Sequence, residues 1–212
     1  MKKLPVNEAL WDLNLSDGTP CYRVDWNSYY QFDGFKEQKV SQSKFNDAKY
    51  GRNINPFQGG ESLAKLSNGN TIHCFYQDSK IREFTPGGSI VKTFSKKLSM
   101  IVIYDLEVDI NDNIWFVEPT VHRVVQVEYS IGKIMFESGG TWEEDGELNH
   151  PEDIVIYGEH AFISDMGNQR IVMLDTNTKS IGTFRQFDQP TWQYKRNGET
   201  ELVSLQDGLY QL

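Results

Sequence analysis

Apolar residues along the chain come in short bursts, not in a helical stripe. "TIHCFYQ", "SIVKTF", "MIVIYDLEV", "NIWFVE", "RVVQVEYS", "KIMFES", "DIVIY", "HAFIS", "RIVML" and "ELVSLQ" are rich in Ile, Val, Phe, Tyr or Trp. Turn dipeptides separate them, among them Asn68-Gly69, Asp112-Asn113, Gly158-Glu159 and Asn197-Gly198. Short β-branched and aromatic runs bounded by such dipeptides predict strands joined by tight turns. No eleven-residue window sustains apolar residues at i, i+3, i+4 and i+7, so helix is not expected as a main component. Phe45–Gly60 reads as a long loop holding one helical turn.

Three stretches repeat one plan: strand, tight turn, strand, a polar turn closing on a basic-apolar pair, strand, turn, strand. They are "LAKLSNGNTIHCFYQDSKIREFTPGGSIVKTF", "DLEVDINDNIWFVEPTVHRVVQVEYSIGKIMF" and "DIVIYGEHAFISDMGNQRIVMLDTNTKSIGTF". The pairs Lys80-Ile81, Arg123-Val124 and Arg170-Ile171 are 43 and 47 residues apart, and the closing Phe94, Phe136 and Phe184 are 42 and 48 apart. A four-stranded unit of about 40–45 residues is the size of a propeller blade. Both ends of the chain look like the same unit, cut. The last one, from Pro190, lacks an outer strand, and the N-terminal "KKLPV" can supply it and so close a ring. The expected fold is therefore all-β: one propeller domain over residues 1–212, of five four-stranded blades, with four or six as alternatives. Inner strands are expected to start near Glu8, Glu61, Asp105, Glu152 and Pro190.

Composition agrees with a folded domain of 212 residues, 38% hydrophobic and 13% aromatic. A net charge of −9 argues against nucleic acid or an anionic membrane as partner. The N-terminus has no signal-peptide core, and no window has the apolar length of a membrane helix. Cys21 and Cys74 are too few for a disulfide framework. These features predict a cytoplasmic protein with core thiols, a monomer or homodimer.

In the third repeat, "GGTWEEDGELNHPEDIVIYGEHAFISDMGNQRIVMLD" resembles an NHL repeat, with its Asp-Gly, Asn-x-Pro and Ser-Asp-x-x-Asn-x-Arg-Ile elements. The second, "VDINDNIWFVEPTVHRVV", keeps the pattern with Glu118 where Asp165 stands. The resemblance extends to gluconolactonase and senescence-marker-protein-like propellers. It implies a divalent metal in the central channel and hydrolysis of lactones or esters. Pro151-Glu152-Asp153 departs from that group, which has Asn-Gly after the blade-opening proline.

Two roles compete for Asp165: holding the turn "MGNQR" by accepting backbone N–H bonds and pairing with Arg170, or taking part in chemistry. A left-handed Gly167 or Asn168 would fit the first role. Glu8, Glu61, Asp105, Glu152 and Asp153 sit where inner strands begin and so around one channel mouth. Converging carboxylates repel unless solvated, protonated or bridged by a cation, and hard oxygen donors suit Ca²⁺ or Mg²⁺. His150, beside the blade-opening Pro151, is the candidate general base, with Asp153 as its catalytic partner. Trp11, Trp142 and Trp192 lie near inner strands and can offer a flat ligand a platform. No Walker, dinucleotide or nucleophile-elbow motif appears. Three functions follow as expectations: an NHL-like module binding a small ligand or protein partner, a metal-dependent lactonase or esterase, and a five-bladed carbohydrate-active enzyme.

Overall fold

Among the described residues, twenty strands assemble into five antiparallel four-stranded sheets, each a blade of a five-bladed propeller. The structure is a computed structural model that describes residues 1–6, 10, 12–15, 18–25, 27–33, 36–50, 62–75, 80–94, 102–139 and 146–212, without the side chains of 47–50 and 75. In chain order come β1 (Lys2–Lys3), then blade one: β2 (Asp12–Asn14), β3 (Cys21–Arg23), β4 (Tyr29–Phe32) and β5 (Glu37–Val40). Helix α1 (Gln42–Tyr50) leads to blade two: β6 (Ser62–Lys65), β7 (Thr71–Phe75), β8 (Lys80–Phe84) and β9 (Ile90–Phe94). Blade three has β10 (Asp105–Val108), β11 (Ile114–Glu118), β12 (Arg123–Glu128) and β13 (Lys133–Gly139). Blade four has β14 (Pro151–Tyr157), β15 (His160–Asp165), β16 (Arg170–Asp175) and β17 (Ile181–Gln186). Blade five has β18 (Thr191–Asn197), β19 (Thr200–Leu205) and β20 (Gly208–Gln211), and β1 is its outer strand, with Lys2 opposite Gln211 and Lys3 opposite Tyr210. The expected ring closure is thus the observed one.

The strand patterns follow from position in the blade. β11 and β12 lie between two neighbouring sheets, so they are apolar on both faces and Ile114–Val117 are all buried. β13 is an outer strand, and its burial alternates residue by residue. Four of the five blade interfaces are apolar clusters between sheets. Ile72 and Ile81 meet Leu106 and Phe116; Trp115 and Val117 meet Ile154 and Ile163; Phe162 and Ile171 meet Tyr194 and Val203; Leu202 and Leu209 meet Leu13 and Tyr22.

The seam between blades one and two is filled differently. Helix α1 touches β3 and β4 on one side and β6 on the other. Its Phe45 is buried with Cys21 and Tyr29, ring centroids 5.2 Å apart from the latter. This corrects the expected loop with one helical turn: nine residues are helical. Ser41 caps them, its Oγ accepting the Lys44 N–H at 3.2 Å. Of the helix's described side chains only Phe45 is buried, so no apolar stripe marks it in the sequence. Residues 51–60 of the expected loop lie outside the described residues.

The turn between β15 and β16 of blade four is a closed polar unit. The carboxylate of Asp165, fully buried, accepts from Asn149 N–H at 2.6 Å, Arg170 Nε at 2.8 Å and Asn168 Nδ2 at 3.0 Å. Arg170 then donates to the Glu147 carbonyl at 2.7 Å, tying down the segment that enters the blade. In blade three Glu118 and Arg123 make the same pair, Nε to Oε2 at 2.7 Å. Asp165 holds its turn. The left-handed residue is Gln169 (φ 57°), with His122 (φ 57°) in the matching place of blade three, not Gly167 or Asn168. Gly167 is needed for close approach instead: a Cβ there would lie 2.5 Å from Asn149 Cγ.

Phe45→Ala removes the side chain that fills the odd seam and should cost about 3–5 kcal/mol. Cys21 beside it should then react with a thiol reagent under native conditions, while Cys74, buried between blades two and three, stays protected. Equal reactivity of the two thiols would show that the seam is no weaker than the other interfaces.

Candidate functional site

The five inner strands β2, β6, β10, β14 and β18 enclose a cavity of about 470 Å³ on the ring axis, and each contributes side chains to it. An inner strand is paired on one side only. Its other edge carries N–H groups that need acceptors, and side chains of the preceding blade provide them. Ser62 Oγ accepts the Leu106 N–H at 3.3 Å, Asp105 Oδ2 the Ile154 N–H at 3.1 Å, and Asp153 Oδ2 the Tyr194 N–H at 3.1 Å. Ser62 also donates to Asp105 Oδ1 at 2.5 Å. Ser62, Asp105 and Asp153 are thus equivalent residues of successive blades, and Gln193 follows them in β18.

This series brings carboxylates together at the axis, and Lys195 is their counter-charge. Its Nζ lies 2.5 Å from Asp153 Oδ1 and 3.9 Å from Asp105 Oδ2. Burial alone would lower the lysine, but the charges of Asp153 and Asp105 hold it above its ordinary range. Burial pushes the Asp153 carboxyl up, against the pull of Lys195. Glu107, two residues beyond Asp105 and so on the same face of β10, is raised to about 8 by burial first and by Asp105 next. Five acids (Asp12, Asp105, Glu107, Glu152, Asp153) and two bases (Arg23, Lys195) line the cavity.

The mouth is shaped by two β-bulges. The register of β14 skips Glu152 between Pro151 and Asp153, and that of β18 skips Trp192 between Thr191 and Gln193. A bulge frees a side chain from the ladder and re-aims it. Glu152 faces the cavity beside Tyr104, whereas Trp192, 38% exposed, does not line it. Burial, then Asp153, raises Glu152 to about 7. His150 Nδ1 stands 2.8 Å from Glu152 Oε1, without hydrogen-bond geometry. The backbone of His150 is left-handed (φ 56°), and its N–H donates to His122 Nδ1 at 3.0 Å. That bond assigns the proton of a neutral His122 to Nε2. Burial, then the charge of His122, lowers His150 below the ordinary histidine range.

The structure therefore brings Asp105, Glu152, Asp153 and His150 to one axial site and sets Trp192 at its periphery. Glu8, Glu61, Trp11 and Trp142 lie outside the described residues. Among the described residues no three or more His, Cys, Asp or Glu side chains are arranged to hold a metal ion, and the Lys195 ammonium occupies the place between Asp105 and Asp153 that a bridging cation would take. Lys195, Glu107, Asp12 and Arg23 escaped the sequence reading. One signal points to two of them: the period-2 step from Asp105 to Glu107 and from Gln193 to Lys195.

No protein-family model matches the chain, and no curated protein sequence does. Among solved structures it is similar to virginiamycin B lyase from Staphylococcus aureus, at 16% identity and TM-score 0.57 over 98% of this chain and 67% of that one. A streptogramin B lyase gives 13% identity and TM-score 0.57 over 99% and 70%. Kuenenia stuttgartiensis hydrazine synthase gives 10% identity and TM-score 0.54 over 70% and 42%. These likenesses are of fold, and the chain spans about two thirds of the length of the lyases.

Glu107 holds its proton more tightly folded (about 8) than at its ordinary value of 4.5. Folding thus takes up a proton between those values, and stability falls as pH rises through that window. Glu107→Gln should flatten the fall in denaturant midpoint between about pH 5 and 8. An unchanged slope would place the titrating group elsewhere.

Proposed function

We propose that this propeller binds a small polar molecule in its axial pocket, reached through the mouth at Tyr104 and Glu152. One observation carries the reading. A cavity of about 470 Å³ is lined from five strands by an excess of acids over bases, two of them, Glu107 and Glu152, titrating near neutral pH. Concave sites with a few convergent polar groups of shifted pKa are where small ligands bind. The NHL-like unit around Asp165 and Arg170 supports a scaffold role for the rest of the blade, because its polar groups satisfy one another. Leu63, half-buried on the cavity wall, gives the test. Leu63→Trp should fill the lumen and abolish pocket binding in a ligand-observed NMR screen of small polar compounds. Hits that persist in the variant would locate binding off the axis.

A second reading is favoured by the contact between His150 and Glu152 at the mouth. A neutral histidine with lowered pKa beside a carboxyl that titrates near 7 forms a base and acid pair. The names of the similar folds, virginiamycin B lyase and streptogramin B lyase, make elimination the first assay. In that case His150→Asn and Glu152→Gln should each lower turnover about 100-fold or more, in the range of general acid-base catalysis, while pocket binding of the NMR hits persists. Turnover unaffected by either change would remove His150 and Glu152 from the chemistry.

A further inference from the structure

Resting on the pocket-binding reading, we infer that the ligand of the axial pocket is an organic cation, an ammonium or amidinium on a short stem, held by Glu107 with Glu152 and Tyr104 at the mouth. The pocket already solvates one such group. Lys195 reaches Asp153 at 2.5 Å and Asp105 at 3.9 Å, so these two carboxylates are committed. Glu107 is not. It lines the cavity from the same face of β10 as Asp105, it is half-buried, and its charged form is favoured only by the Val108 N–H and by the Lys195 charge, which is already engaged with Asp153. A carboxyl drawn out of bulk water with no cation of its own is costly when charged. It stays protonated or meets a cation, and an ammonium entering from the mouth supplies that cation.

Other ligand classes fit less well. An anion would meet five acids, with Lys195 already paired and Arg23 standing 4.0 Å from Asp12. A divalent metal needs six or more hard oxygens for Ca²⁺, or near-octahedral geometry for Mg²⁺, in a space the Lys195 ammonium also faces. An organic ammonium tolerates that neighbour better, because each ammonium group carries a single charge and the repulsion scales with that charge. It also gains from the ring of Tyr104, since aromatic faces attract cations. Burial and the charge of Asp105 keep Glu107 protonated up to about pH 8. At neutral pH, binding therefore drives its proton to solvent as the ion pair forms.

The test is isothermal titration calorimetry on the full chain at pH 7, with 1,4-diaminobutane, 1,4-butanediol, succinate, MgCl₂ and CaCl₂ as probes. Diaminobutane should bind at least ten-fold tighter than the diol and release protons, read from the dependence of the heat on buffer ionisation enthalpy. Glu107→Gln should weaken diaminobutane at least ten-fold and abolish the proton release. If that variant fails to fold, proton release from the unmodified chain decides, because binding elsewhere on the surface would not move a proton held this high. The inference is overturned if the diamine binds no tighter than the diol, if Mg²⁺ or Ca²⁺ binds at lower concentration than the diamine, or if Glu107→Gln leaves the diamine unaffected. Should the diol or succinate bind and Leu63→Trp abolish it, the pocket reading stands and only the ligand class falls. Probe binding unchanged by Leu63→Trp would overturn both.

Discussion

The unpaired edge of each inner strand is the constraint on which the rest of the ring depends. Five sheets radiating from an axis turn five rows of backbone N–H groups toward their neighbours. Unsatisfied, each buried group would cost about 1–3 kcal/mol. Ser62, Asp105 and Asp153 meet that demand by accepting one N–H each from the next blade. The solution concentrates acid at the axis. Lys195, from the following strand, offsets part of that charge and leaves Glu107 and Glu152 to titrate late. The chemistry of the pocket is thus a consequence of how the ring is stitched together.

The repeated motif has a different task. Asp165 with Arg170 is a buried ion pair whose remaining hydrogen bonds go to the turn and to the incoming chain, and Glu118 with Arg123 is its counterpart in blade three, where the partly exposed Arg123 also bonds Glu137. A buried pair of this kind specifies geometry more than it adds stability. It aligns the polar turn with the segment that opens the blade, which is where His150 takes its left-handed backbone and meets His122 and Glu152. The motif therefore acts on the site through position, without touching the cavity.

The ring is not uniform. Four interfaces bury aliphatic and aromatic side chains sheet against sheet, whereas the seam between blades one and two borrows Phe45 from a short helix. Among the described residues, blade one also has two three-residue strands, β2 and β3, and the fewest paired residues between its strands. Local opening is expected where buried apolar contacts are fewest, and among the described residues that is the seam beside β2 and β6, which both line the pocket.

Strand identity, the four-stranded unit and the turn role of Asp165 could be read from the chain because each is local, and the closing role of the N-terminus followed from the missing strand of the last repeat. Period-2 apolar runs, turn dipeptides and a repeated basic-apolar pair act over a few residues and recur. Asp105, Glu152 and Asp153 could be placed near the axis by the same repeat. The helix Gln42–Tyr50 could not, since among its described side chains only Phe45 is buried and one residue makes no period. Nor could the partnership of Lys195 with Asp105 and Asp153, 90 and 42 residues away in the chain, or the burial that raises Glu107. Repetition along the chain determined the blades, whereas charge balance at the axis was decided only by ring closure, because Coulomb interaction and desolvation depend on distances that no spacing in sequence encodes.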